Sequence, residues 1–246
     1  MLGLQRAIWG LAFVALFGAA SGRVAAQSLR LSELVAAGPG LADERGDLWD
    51  WVEIENATFR SIDLTGYGLS DRRDKVRFRF PDGSSLGAGE FLTVLASGGE
   101  VSEPSDVELH AGFSLASSGE LLILTAPDGT LVDAIRYPRQ RRTYSYARGP
   151  TGVWEHQVVP TPGGDSTGPA FADLPELPRF DPPAGVYASP QRVDVSAELP
   201  GGVQRYTLDG SLPTSESPEF PGSLRIDRSL VLRLATYVGG QLIGEV

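Results

Sequence analysis

The sequence has no cysteine, two histidines and a single lysine, Lys75. Without thiols there is no disulfide framework, no thiolate metal site and no lipid-modified N-terminal cysteine. Two histidines leave little for imidazole chemistry, and Glu155-His156 stands alone, with no nucleophile motif or second histidine nearby. A Gly-rich phosphate loop backed by lysine is missing. Ser117-Ser118-Gly119 lacks the Gly-x-Ser-x-Gly elbow of a serine hydrolase. Positive charge is short too. The formal net charge is -10, which opposes a nucleic-acid backbone as partner. No segment keeps helical periodicity over three turns. These absences point away from an enzyme, and no cofactor is implied.

Glycine and proline are plentiful, 30 and 18 residues of 246, as suits a chain rich in strands and turns. The N-terminus reads as a signal peptide over residues 1–26. Arg6 supplies the positive region, residues 7–20 are apolar, and Val24-Ala25-Ala26 offers a cleavage site before Gln27. The apolar run falls short of the roughly 20 residues a membrane span needs, and no later run could span a bilayer. The mature chain is therefore expected to be exported, to an extracellular, cell-surface or periplasmic location.

Strand patterns follow. Leu29 to Val35 is read as alternating cleanly. Trp49 to Asn56 alternates apolar and acidic residues, the period of a half-buried strand. Further strands are expected at 76–80, 91–96, 119–125, 131–137 and 143–146, with Ala126-Pro-Asp-Gly-Thr130 as a hairpin turn. The polar segment 97–108 reads as an exposed loop. Short strands separated by turn signals argue for a β-sandwich over 27–158. Residues 159–178, rich in Pro and Gly, read as a linker without a core. Alternating runs at 191–197, 203–208, 223–226 and 229–237 make a second all-β unit, 179–246. Its last strand begins at Gln241, close to the end of the sequence. An unpaired edge there would expose unmade hydrogen bonds, so the sequence is expected to be either a fragment of a longer chain or one whose natural end lies elsewhere.

The first unit resembles a lamin tail domain. The matching features are Leu31-Ser-Glu-Leu34, Trp51-Val-Glu-Ile-Glu-Asn56, Asp63-Leu-Thr-Gly-Tyr-Gly-Leu-Ser-Asp71 and Phe80-Pro-Asp-Gly83. They continue through Gly89-Glu-Phe-Leu92, Phe113-Ser-Leu115, Gly119-Glu120, Asp128-Gly129, Val132-Asp133 and Thr161-Pro-Gly163, so the likeness covers about 28–165. Asp50 departs from the family's usual Asn-Glu pair before Trp51, filling its second place. The second unit is similar to the sandwich at the C-terminus of chitobiases and β-hexosaminidases. Its marks are Phe180, Pro182-Pro-Ala-Gly185, Tyr187, Val193 and Tyr206-Thr-Leu-Asp-Gly-Ser-Leu-Pro-Thr214. Together these imply an all-β protein, two tandem immunoglobulin-like β-sandwiches after a signal peptide. The accessory sandwich carries none of the hydrolase's catalytic carboxylates. Proteins pairing the two modules often continue into a kinase-like domain related to spore coat protein H. No such domain is present in these residues, and its activity does not carry over.

Each candidate site has a structural alternative. Asp50, Glu53 and Glu55, with Asp43, Glu44 and Asp47, could act as acid and base or bind calcium. Alternating acids on a strand more often face water, and the Asp-x-Asp-x-Asp-Gly loop is missing. Arg72, Arg73, Lys75, Arg77 and Arg79 form one basic stretch. Arg139, Arg141, Arg142, Tyr144 and Tyr146, with Arg136, Tyr137 and Arg148 beside them, form the candidate ligand surface, since Arg beside Tyr can stack on bases or sugars or clamp phosphates. The alternative is a solvated face paired with the plentiful acids. Trp49, Trp51 and Trp154 are a carbohydrate platform or core; Trp49 and Trp51 share a face and go together. Trp49, Trp51, Glu53, Asn56, Gly66, Asp71, Tyr206, Asp209 and Gly210 form a structural signature rather than a site, with Asn56, Asp63 and Asp71 expected to bond backbone at turns. The reading is an exported, non-catalytic scaffold, adhesion or spacer protein, with an unknown protein or a cell-surface glycan as partner. The alternatives are the N-terminal accessory region of a larger extracellular enzyme, and a carbohydrate-binding module.

Overall fold

The computed structural model describes residues 29–38, 40–99, 108–142, 144–196, 199 and 201–245. The signal peptide expected over 1–26 lies outside the described residues. No helix occurs among them, so none is long and apolar enough to cross a membrane.

The first unit contributes β1 (Leu29–Val35), β2 (Leu41–Ala42), β3 (Leu48–Trp49), β4 (Trp51–Asn56), β5 (Ile62–Asp63), β6 (Gly68–Ser70) and β7 (Phe78–Arg79). It continues with β8 (Ser85–Leu86), β9 (Phe91–Leu95), β10 (Leu121–Thr125), β11 (Leu131–Arg136), β12 (Ser145–Arg148), β13 (Trp154–Gln157) and β14 (Ala170–Phe171). One sheet has the order β14-β13-β12-β1-β4-β9, and the facing sheet runs β11-β10-β6-β7. Leu29, Leu31, Leu34, Val52, Ile54 and Val94 from the first sheet meet Leu69, Phe78, Leu122 and Leu124 from the second in one continuous core. Two sheets closing on such a core form the sandwich that the strand spacing predicts.

β1 does not alternate cleanly. Leu31 pairs with Ile54 and Glu33 with Glu53, so Ser32 is an extra residue, a β-bulge. The bulge moves Leu34 to the inner face and turns Glu33 and Val35 outward. Asp133 on the facing sheet holds the bulge in place: its Oδ2 accepts from the Leu31 N–H at 3.0 Å and from Arg148 at 2.9 Å.

β4 is not half-buried either. Trp51, Val52, Glu53, Ile54 and Asn56 are all buried. Val52 and Ile54 fill the main core, so Trp51, Glu53 and Glu55 point outward. The outer face is covered by the chain itself. Val35, Trp51 and Leu95 cluster there with Leu41 and Trp49, and residues 161–166 lie across Glu33 and Glu53. The segment 159–178 is thus no free linker. Its middle straps the sheet and β14 extends it, pairing His156 with Phe171.

The second unit contributes β15 (Arg179–Asp181), β16 (Gln191–Ser196), β17 (Gly202–Thr207), β18 (Ser223–Ile226), β19 (Arg233–Val238) and β20 (Gln241–Glu245). Two three-stranded sheets, β15-β16-β18 and β17-β19-β20, make this smaller sandwich. The run expected at 229–237 forms a strand from Arg233 onward, and β20 pairs along β19.

Candidate functional site

Glu33 and Glu53 are directly opposite each other on β1 and β4, and both are fully buried, at 1% and 0% exposure. The strand alternation suggested acids facing water; the strap reverses that. The Thr161 N–H donates to both Glu33 oxygens at 3.1 and 3.2 Å, and the Thr161 hydroxyl donates to Oε2 at 2.9 Å. Ser145 donates to Glu33 Oε1. Glu53 accepts from the Ser32 hydroxyl at 2.8 Å and from the Gly163 N–H. Glycine at 163 has φ +84°, a turn that L side chains rarely adopt.

Burial raises the carboxyl of Glu33 above its ordinary value, against the pull of its hydrogen bonds from Ser145 and Thr161. Burial also pushes Glu53 up to about 7; the bonds from Gly163 and Ser32 oppose this, and repulsion from Glu33 and Glu55 adds to it. Asp50 rises to about 6 by burial. A carboxylate removed from water disfavours its charged form. Neither Glu33 nor Glu53 reaches solvent, so the pair fastens the strap and offers no face to a substrate. Among the described residues no group of three His, Asp or Glu side chains comes together to hold a metal.

The Arg–Tyr cluster is divided. Arg139 and Arg142 are exposed, Arg141 and Tyr146 half-buried. Tyr144 is not a surface residue: at 0% exposure it sits with Val158, Ile243, Phe171, Leu174, Leu199 and Val238 in a cluster shared by the two units. Its hydroxyl donates to the Ile243 carbonyl at 3.0 Å, and Arg141 donates to the Pro175 carbonyl at 2.7 Å. Burial pushes the Tyr144 phenol up to about 12. His156, buried beside it with rings 6.3 Å apart, is held below its usual value by desolvation. Tyr146 stacks on Trp154 at 5.4 Å, and Arg148 lies over the same indole at 5.1 Å. In the other basic stretch, Arg77 and Arg79 donate to the Gly112 and Gly66 carbonyls at 2.6 and 2.8 Å, while Arg72, Arg73 and Lys75 are exposed.

The signature residues are architectural. Trp49 and Trp51 share one outer-face cluster, and the Trp49 indole donates to Asp43 at 3.0 Å. That bond, chiefly, holds the Asp43 carboxyl below its usual range. Asn56 donates to three carbonyls, of Arg60, Leu86 and Gly87, and accepts from Thr58. Gly66 turns at φ +76°. Asp71 pairs with Arg77 at 3.8 Å. Tyr206 packs edge-on against Phe220. Asp209 accepts from Ser211, and Gly210, at φ +81°, donates to the Val231 carbonyl at 3.1 Å.

The all-β architecture accords with comparison to known families. Residues 23–139 match the family model of the Lamin Tail Domain. Residues 182–243 match the Chitobiase/beta-hexosaminidase C-terminal domain. No curated protein matches the chain. The lamin-tail match ends at Arg139, yet that sandwich is completed by β12, β13, β14 and the strap. Both matches are to β-sandwich-type domains, in the order that the sequence motifs indicate.

Asp133, Thr161 and Glu33 stand within the motifs that carry the lamin-tail resemblance, but the sequence assigned none of them a bonding partner. The signal for Glu33 was present: Leu31 and Leu34 are three residues apart where an unbroken strand would space them by two. For Thr161 no local pattern announced a partner.

Proposed function

We propose that this chain is an exported, non-catalytic spacer or attachment protein whose two sandwiches act as one stiff body. The junction carries this reading. Tyr144 and Val158 of the lamin-tail unit share a buried cluster with Ile243 of the chitobiase-type unit, and hydrogen bonds from Tyr144 and Arg141 flank it. A flexible linker would leave two domains tumbling separately; a buried apolar junction restrains them.

Relaxation measurements on the full chain from the exported fraction test it. Amides of both units are expected to report one rotational correlation time in wild type and two in Tyr144→Ala, whose folded sandwiches keep their own dispersed spectra. Independent tumbling in wild type would overturn the stiff spacer. Export is checked separately by sequencing the mature N-terminus, expected near Gln27. Intact Met1 in an exported, membrane-free fraction would refute cleavage.

A further inference from the structure

A cleft of about 310 Å³ opens beside the strap, lined by Arg148 but by neither Arg141 nor Tyr144. Its walls include Arg30, Glu55, Phe91, Arg148 and the strap residues Asp165 and Thr167. Arg30, Glu55 and Phe91 form one row across β1, β4 and β9. The volume lies at the lower end of ligand clefts, about 300–1,000 Å³.

The two arginines of this cleft are already committed, while Asp165 on its rim is exposed. Arg30 grips Glu55 with two bonds, at 2.7 and 2.9 Å. Arg148 is held by Asp133 at 2.9 Å and by the Leu31 carbonyl at 3.2 Å. An incoming anion would compete with carboxylates that the arginines already hold. A cation would meet two guanidinium groups. What remains on offer is a set of fixed donors and acceptors with spare valence: guanidinium N–H groups, carboxylate oxygens and the Thr167 hydroxyl. Phe91 adds an apolar ring face on the edge of the same row. Because ion pairs hold Arg30, Glu55 and Arg148 beforehand, little ordering of these three is lost on binding.

We infer that this cleft binds a neutral mono- or disaccharide. Each sugar hydroxyl both donates and accepts, as a wall of paired guanidinium and carboxylate groups requires. The C–H face of the ring suits Phe91. The site is distinct from Arg141 and Tyr144, which are occupied at the junction, and it does not depend on the stiffness of the tandem.

The test is an amide-resolved titration of the isotope-labelled full chain with maltose, cellobiose and N,N′-diacetylchitobiose, and separately with inorganic phosphate. At least one disaccharide is expected to give saturable shifts at Phe91, Gly149 and residues 165–167, with phosphate giving none there. Phe91→Ala and Asp165→Ala are expected to weaken that binding by about tenfold or more. Asp165 is exposed, so its variant leaves the fold intact if Phe91→Ala does not. No saturable shift with any of the three sugars overturns the inference. So does a response to phosphate alone, or binding that Asp165→Ala leaves unchanged.

Discussion

Glu53 sits where a glutamate is costly, with no exposure and a second carboxyl facing it. Its folded value of about 7 lies above the ordinary glutamate value of 4.5. The folded protein therefore keeps a proton that the unfolded chain gives up. This contribution to stability is fully present below the unfolded value and is lost as pH rises through the folded one. Glu33 and Asp50 shift the same way. Thermal denaturation should show a melting temperature that falls between about pH 5 and pH 8, with a clearly shallower fall in Glu53→Gln. His156, held below its usual value, acts in the opposite sense, so a pH dependence that Glu53→Gln leaves unchanged would contradict the buried pair. Asn56 gives a second residue-scale expectation. Its amide closes three carbonyls, two of them about 30 residues along the chain. Asn56→Ala should lose about 2–4 kcal/mol in urea unfolding, because buried carbonyls are left unpaired. The sequence places Asn56 at a strand end before a turn. It does not reveal the end of β8 at Leu86 and the adjoining Gly87, which no local pattern connects to it.

Among the elements, β4 and the strap show where periodicity stops being informative. Alternation in Trp51-Val-Glu-Ile-Glu-Asn56 marks a strand with two unlike faces, and the strand is there. Which face is buried depends on what covers it, and the cover comes from residues 161–166. Those residues have the composition of a loose linker because their bonds are to distant carboxylates rather than to a repeating ladder. The sandwich was legible since strands and turns leave local marks; Thr161-Pro-Gly163 was legible as a motif, but its docking on Glu33 and Glu53 was not. Hydrogen exchange distinguishes the two readings. The Thr161 and Gly163 amides should exchange far more slowly than those of an exposed Pro/Gly segment. Glu33→Gln should release Thr161 while the β10–β11 hairpin keeps its protection. Exchange at Thr161 and Gly163 as fast as in free peptide would sink the clamp.

Over the whole molecule, Arg141 and Tyr144 illustrate a residue pattern with a hidden destination. An arginine beside a tyrosine suits a ligand, and it equally suits a second domain. Tyr144 finds its acceptor 99 residues downstream. The strap's reach is longer still: Thr161 closes on Glu33 over 128 residues, and Gly163 on Glu53 over 110. During synthesis β1 emerges before its strap partners, and β1 is the strand that must wait longest. Local hairpins such as β10–β11 can close early, whereas pairings so distant in sequence close slowly. Refolding followed by pulsed amide exchange should accordingly show Gly163 protected later than the β10–β11 hairpin, and Thr161→Ala should delay it further. The oldest end of the molecule stays unfinished, its two acids open to water, until nearly all of the first domain has arrived.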